Sequence, residues 1–90
     1  MDFGARVKDP DATLDYGIDW SDWLDADTIA SVTWVVPAGL TKASQSNTTT
    51  AAYVWLSGGT AGETYPVVCR ITTAGGRIDD RTLEIVCRER

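Results

Sequence analysis

Apolar and polar side chains alternate along most of the chain after residue 13, and this two-residue period predicts β-strands with one buried face. The alternation is clearest in residues 14–20 and in residues 28–36, which are also rich in β-branched side chains. Residues 40–46 are polar and alternate weakly, which favours a strand at the edge of a sheet. Residues 50–57 carry apolar side chains on both faces, which favours a central strand whose second face is covered by a loop, an arm or another molecule.

Two further runs flank Ala74-Gly75-Gly76, a sequence typical of a turn, and they predict a hairpin. The runs are residues 67–73 and 81–88. From the expected pairing of these runs, Cys69 lies opposite Cys87 and Ile71 lies opposite Ile85. Both thiols then share the apolar face of the hairpin.

The spacing of the strands predicts an all-β fold. Six or seven strands follow one another every 8–12 residues, and no long stretch has a helical period. This spacing favours a single immunoglobulin-like antiparallel β-sandwich over a small barrel, since the loops differ in length. Trp23-Leu24 is either a single helical turn or a strand continuation after a bulge. We expect residues 1–13 to form a flexible, extended arm and residues 14–90 to form the sandwich.

Charge narrows the set of possible partners. The formal net charge of the 90 residues is −5, with eight aspartates among residues 1–30, and lysine and arginine form no cluster. Nucleic acids and anionic membranes require such a cluster, so neither is an expected partner. The N-terminus has no signal-peptide pattern, and no run approaches the ~20 apolar residues of a membrane span. Synthesis in a reducing cytoplasm would leave Cys69 and Cys87 as thiols.

The sequence has few residues suited to catalysis. It contains no histidine, no paired carboxylates are evident, and neither cysteine has an activating neighbour in the sequence. We therefore expect no catalytic residue and no cofactor. A calcium site is the alternative interpretation of the aspartates between residues 9 and 27, but their spacing does not follow the EF-hand loop. Turn and surface positions explain them better, so no metal is expected. The aspartates are Asp9, Asp11, Asp15, Asp19, Asp22, Asp25 and Asp27.

The four tryptophans divide into two groups. Trp20 and Trp34 are in register with aliphatic neighbours, which predicts that they belong to the core. Trp23 and Trp55 fit a core position and a contact surface about equally well, because the opposite face of each segment is also partly apolar. Exposed tryptophans could bind a protein partner or stack on sugar rings.

Several tracts taken together resemble a family of small tailed-bacteriophage and prophage structural proteins with an immunoglobulin-like fold, often described as fiber–tail adaptors. The tracts are 8–16 (KDPDATLDY), 18–20 (IDW) with Trp23-Leu24, 27–37 (DTIASVTWVVP) with Gly39-Leu40, and 54–62 (VWLSGGTAG) followed by Tyr65, 70–73 (RITT), Gly75-Gly76-Arg77 and Arg81. The resemblance covers most of the chain from residue 8 onward, and residues 55–62 are its most distinctive part.

The resemblance implies a non-enzymatic virion component that is assembled in the bacterial cytoplasm and joins larger parts of the tail or neck through protein–protein contacts. It further implies a symmetric oligomer within the particle. We expect the contacts to involve Trp23, Tyr53, Trp55, Asp9 and Asp11, since these residues lie in the arm and in segments with a second apolar face. A capsid decoration protein and a carbohydrate-binding module for host attachment are the alternatives.

Overall fold

Strands account for 62% of the chain and helix for 5%, which confirms the all-β prediction. The computed structural model describes residues 2–89, with side chains described from residue 6 onward. Within that range the elements are β1 (Asp2–Lys8), β2 (Leu14–Asp19), α1 (Ser21–Leu24), β3 (Ile29–Val35), β4 (Leu40–Asn47), β5 (Ala51–Gly58), β6 (Thr64–Thr73) and β7 (Ile78–Cys87). The single helical turn α1 is the first of the two alternatives expected for Trp23-Leu24.

The strands form two sheets that pack as a sandwich and not as a barrel. One sheet has the order β1-β7-β6-β3 and the other has the order β2-β5-β4. An immunoglobulin constant-type domain places strands B, E and D in one sheet and C, F and G in the other. Here β2, β5 and β4 take the first set of positions and β3, β6 and β7 take the second. The predicted immunoglobulin-like sandwich is therefore confirmed.

Two local features are also typical of immunoglobulin-like domains. Trp34 on β3 is buried and lies directly opposite Cys69 on β6, the strand that carries a cysteine in antibody domains. The Tyr65 hydroxyl, near the start of β6, accepts a hydrogen bond of 3.0 Å from the backbone N–H of Thr60. This bond fixes the corner that leads from β5 into β6, as a tyrosine corner does.

The core lies between the sheets and is filled by the residues that the alternation placed on inward faces. Trp20 is completely buried and Trp34 nearly so, as predicted. Around them pack the fully or almost fully buried side chains Ile18, Leu24, Val54, Leu56, Val67, Cys69, Ile71, Leu83, Ile85 and Cys87. Ile29 joins this face because β3 is bulged, so that Ile29 and Ser31 pair with the consecutive residues Thr73 and Thr72. The extra residue changes the parity of the strand and turns Ile29 inward.

The structure differs from the sequence interpretation at the N-terminus. Residues 2–8 were expected to belong to a flexible arm, but they form β1 and pair in parallel with β7. Lys8 is completely buried, and its ammonium group donates hydrogen bonds to the carbonyls of Asp9 (2.9 Å) and Gly58 (2.6 Å). Phe3, Ala5 and Val7 alternate with polar residues or glycine, but the run is short and the sequence interpretation assigned it to the arm.

The predicted register of the hairpin is wrong. Cys69 lies opposite Arg81 and Ile71 lies opposite Asp79, so that neither Cys87 nor Ile85 is their partner. The turn is centred on Gly75, where Thr73 and Arg77 close it with an N–H to carbonyl bond of 2.8 Å. The strands therefore extend further toward the turn than their apolar pattern indicates. The two thiols nonetheless lie on one buried face, as expected, because the error is an even number of residues.

Candidate partner interface

The outer face of the β2-β5-β4 sheet carries two exposed aromatic side chains. Tyr53 and Trp55 alternate on β5 with the buried Val54 and Leu56, so both rings point away from the core. The exposed fraction is 39% for Tyr53 and 42% for Trp55. Because β5 is the central strand of this sheet, its neighbours on either side hold the two rings on a rigid surface.

Gly17 gives the Tyr53 ring its position. Gly17 lies opposite Tyr53 across β2 and β5, and a Cβ atom at Gly17 would lie 2.6 Å from Cδ1 of the ring. The absence of a side chain therefore lets the ring approach the backbone of β2 closely. An open depression of about 370 Å³ lies beside the ring and is lined by Gly17, Ile18, Asp19, Thr48, Thr50, Ala51 and Tyr53. The depression could receive a side chain of a partner.

This face also carries negative charge. Asp15 lies directly opposite Trp55, and Asp19 lies opposite Ala51 at the end of the same strand. Both aspartates are exposed. A hydrogen bond of 2.9 Å from the backbone N–H of Ser21 lowers the pKa of Asp19, and Arg81 acts in the same direction. Asp19 is therefore ionised at neutral pH.

The residues of β4 that lie beside the two rings are polar and uncharged. Ser44 lies opposite Trp55 and Ser46 lies opposite Tyr53 on the exposed strand β4. Gln45 lies between them and donates a hydrogen bond of 3.2 Å to the Val32 carbonyl of the second sheet. The aromatic pair is thus flanked by carboxylates on the β2 side and by hydroxyls on the β4 side.

Trp23 lies elsewhere and packs within the chain. Its ring meets Trp20 edge to face at 5.4 Å, and the guanidinium carbon of Arg77 lies 4.3 Å above its centre. Arg81 covers the Trp20 ring in the same way, at 4.2 Å. Two arginines, one from the β6–β7 turn and one from β7, therefore each cover one ring of the tryptophan pair beside α1. The sequence analysis missed this stack, since nothing local relates residue 23 to residue 77.

Asp27 completes this arrangement. Its carboxylate accepts hydrogen bonds from the backbone N–H groups of Thr28 (2.8 Å) and Gly75 (3.0 Å) and pairs with Nε of Arg77 at 3.1 Å. Together with the Thr73 hydroxyl, these donors lower the pKa of Asp27 to about 2. Asp27 thereby ties the segment before β3 to the β6–β7 turn.

Asp9 and Asp11 lie in the loop between β1 and β2, away from the aromatic pair in the chain. Asp9 accepts a hydrogen bond of 2.9 Å from the backbone N–H of Asp11, which is the geometry of an Asx turn. Carboxylate oxygens of Asp9, Asp11 and Glu89 lie within 4.8 Å of one another. Of the aspartates weighed as calcium ligands, only these two fall in that group, and exposed acidic groups of this kind are common without a metal.

Comparison with known proteins decides the family. A search among curated proteins found no match. The family model described as podophage GP4 fiber-tail adaptor protein gp77 matches residues 8–86, which is well over half of the chain. The chain belongs to this family. The resemblance seen in the sequence is confirmed, and with it a structural role in a phage tail.

The match to the adaptor family spans β2 to β6 and nearly all of β7, and it leaves most of β1 outside it. All residues of the outer face, from Asp15 to Trp55, fall inside the match. Within residues 2–89, no helix is long and apolar enough to cross a membrane.

The two cysteines of this adaptor family member are buried thiols. Both have zero exposure, and they are not joined in a disulfide. Burial raises the pKa of Cys69 to about 12, although the Trp20 indole N–H acts in the opposite direction. A thiol of this kind packs as a small apolar side chain and is a poor nucleophile.

Proposed function

We propose that this protein is a non-enzymatic tail component that joins fiber and tail through protein–protein contacts. The observation that carries the proposal is the match to the fiber-tail adaptor family across residues 8–86. The proposal places the protein in the virion after assembly in the host cytoplasm. It also gives the protein other tail proteins as partners, in a symmetric oligomer.

The chemistry of the chain supports a role without catalysis. There is no histidine in the sequence, and the Cys69 thiol is buried with a raised pKa. The carboxylates of Asp19 and Asp27 accept hydrogen bonds from backbone N–H groups, which holds them in their ionised form. Groups fixed in this way stabilise turns and are unsuited to proton transfer near neutral pH.

Quantitative mass spectrometry of purified particles tests the proposal. We expect tens of copies or fewer per particle, since an adaptor follows the symmetry of the tail. Particles made without the protein should retain a filled head and lack fibers. Absence of the protein from intact wild-type particles would contradict the proposal, and a copy number in the hundreds would indicate a capsid decoration protein instead.

A carbohydrate-binding module is a second candidate, because the exposed pair Tyr53 and Trp55 could stack on sugar rings. A glycan array with the wild-type protein tests it, with Trp55→Ala and Trp23→Ala as variants. Sugar binding that disappears in Trp55→Ala and persists in Trp23→Ala would support this function. The absence of binding by the wild type would remove it.

A further inference from the structure

The chain already contains one site in which a tryptophan and an aspartate hold an arginine. The Arg77 guanidinium lies 4.3 Å above the centre of the Trp23 ring, and its Nε lies 3.1 Å from Oδ2 of Asp27. The ring attracts the cation through its negative face, while the carboxylate fixes the guanidinium by a charge-assisted hydrogen bond. The side chain of Arg77 is 45% exposed, so this arrangement holds at a wet surface.

The outer face of the β2-β5-β4 sheet has the same two groups without the arginine. Asp15 is the cross-strand partner of Trp55, which places their Cβ atoms roughly 5 Å apart. Both side chains are exposed. Among the described residues, no cation contacts the Trp55 ring, and no hydrogen bond or ion pair engages the Asp15 carboxylate.

We propose that this face binds an arginine-bearing segment of a partner tail protein, with one guanidinium stacked on Trp55 and paired with Asp15. The inference rests on the proposed function, because it names the surface and the chemistry by which the adaptor binds. Arginine suits the site better than lysine, since its planar guanidinium stacks on a ring and pairs with a carboxylate at the same time.

Charge complementarity supports this occupant. The outward-facing residues of the three strands include Asp15 and Asp19, and the whole chain carries a net charge of −5. The one basic residue of these strands, Lys42 of β4, lies opposite the inward-facing Leu56 and donates a hydrogen bond to Gln45. The depression beside Tyr53 has the Asp19 carboxylate on its wall and offers a second position for a basic side chain. A basic segment laid across β5 would reach both positions, because Tyr53 and Trp55 are two residues apart.

Two other occupants are less well matched. A neutral sugar can form hydrogen bonds with the Ser44 and Ser46 hydroxyls but brings no cation to pair with the Asp15 carboxylate. A second copy of the chain would bring its own net charge of −5 toward this acidic face, and two of its arginines, Arg70 and Arg77, are already paired with Asp80 and Asp27. A partner that carries more positive charge than this chain therefore fits best.

The chemistry is tested by an NMR titration of the full chain with N-acetyl-arginine amide, and with the corresponding citrulline amide as a neutral isostere. We expect the arginine compound to shift the Trp55 indole N–H and the backbone signals of Asp15 and Gly17, and the citrulline compound to leave them unchanged. Trp55→Ala and Asp15→Asn should each weaken binding about threefold or more. Val35→Ala, at an exposed apolar position of the other sheet, and Asp22→Asn, which removes an equal charge, should bind as the wild type does.

Equal shifts with citrulline, or equal binding by all four variants, would overturn the proposal. Shifts at Trp55 produced by chitotriose in place of the arginine compound would assign the face to a sugar. Broadening of the same signals with protein concentration alone would assign it to a second copy. Either of these results also contradicts the inference.

Incorporation into particles separates this inference from the proposed function. A phage encoding Trp55→Ala or Asp15→Asn should yield particles with at least about threefold less of the protein, while Val35→Ala particles keep the wild-type amount. Equal incorporation of all variants would show that the face is wrong while the adaptor function stands. Absence of the wild-type protein from particles would show that the function itself is wrong.

Discussion

At the scale of single residues, Cys69 and Cys87 should be inert in the folded protein. Both side chains are fully buried, and burial raises the pKa of Cys69 to about 12, so the reactive thiolate is scarce at pH 8. We expect a disulfide reagent such as DTNB to modify neither thiol in buffer and both thiols in denaturant. In denaturant, the Cys69→Ala variant should react with one equivalent of DTNB fewer than the wild type. Rapid modification of the native protein would contradict the buried placement.

Asp27 should make the stability of the fold depend on acid pH. Its pKa is lowered from 3.8 to about 2 by the Thr73 hydroxyl and the Thr28 backbone N–H, with Gly75 and Arg77 contributing in the same direction. A carboxyl group whose pKa is lowered by folding stabilises the folded state at pH values above its pKa in the unfolded chain. This stabilisation is lost as the pH falls through the pKa of the group in the folded state. The melting temperature should therefore fall between about pH 4 and pH 2 through this group.

The variant Asp27→Asn isolates this effect. It should melt at a lower temperature than the wild type at pH 7, and the difference should shrink as the pH falls from 4 to 2. Asp22→Asn is the matched control, because Asp22 is exposed on α1 and its removal changes the net charge equally. If the two variants gave the same pH profile of melting temperature, the role assigned to Asp27 would be wrong.

The surroundings of a residue could be predicted from the sequence when its partners lie close to it along the chain, and could not when they lie far away. Trp20 and Trp34 were predicted correctly as core residues, because each is in register with aliphatic side chains of its own segment. The surroundings of Trp23 were not predictable, since its covering arginine comes from residue 77. The exposure of Trp55 was left open because the alternation in residues 50–57 is apolar on both faces.

At the scale of elements, β1 should contribute to stability. The strand pairs in parallel with β7 over residues 2–8, so its removal exposes one edge of the larger sheet. For a chain that begins at Lys8, the free energy of unfolding should be at least about 2 kcal/mol lower than for the full chain. In a domain of this size, this corresponds to a melting temperature lower by about 8 °C or more.

Differential scanning calorimetry of the shortened and full-length chains measures this change. Hydrogen exchange supplies an independent check, because paired β1 amides should be protected as the amides of β7 are. Equal melting temperatures and unprotected β1 amides would instead support the flexible arm that the sequence pattern predicts.

Strands were easier to predict than their pairing. Their positions follow from local alternation, and the sequence places β2, β3, β4 and β5 within two residues of their observed ends. The pairing depends on the turn, and at Gly75 the strands extend into polar residues that carry no apolar signal. The error at Cys69 arises there, where Arg81 and not Cys87 is its partner. The bulge in β3 likewise explains why the buried Ile29 does not follow the two-residue alternation of the rest of that strand.

At the scale of the whole molecule, the sandwich could be predicted from the sequence, and the proposed contact surface only in part. Strand number and spacing favour an immunoglobulin-like fold, since a chain of this size has few other ways to bury so many alternating faces. A contact surface has no partner within its own chain, so the sequence indicates it only through apolar residues without a place in the core. Tyr53 and Trp55 are such residues, and the cross-strand position of Asp15 became visible only in the sheet.

The central claim is that this chain is an adaptor that joins fiber and tail, and a cryo-electron microscopy map of the intact particle tests it most directly. The account predicts density for the seven-stranded sandwich where fibers attach to the tail, with the face bearing Tyr53 and Trp55 covered by a neighbouring protein. Density for the sandwich on the outer surface of the head, or a tail and fiber junction that contains no such density, would contradict it.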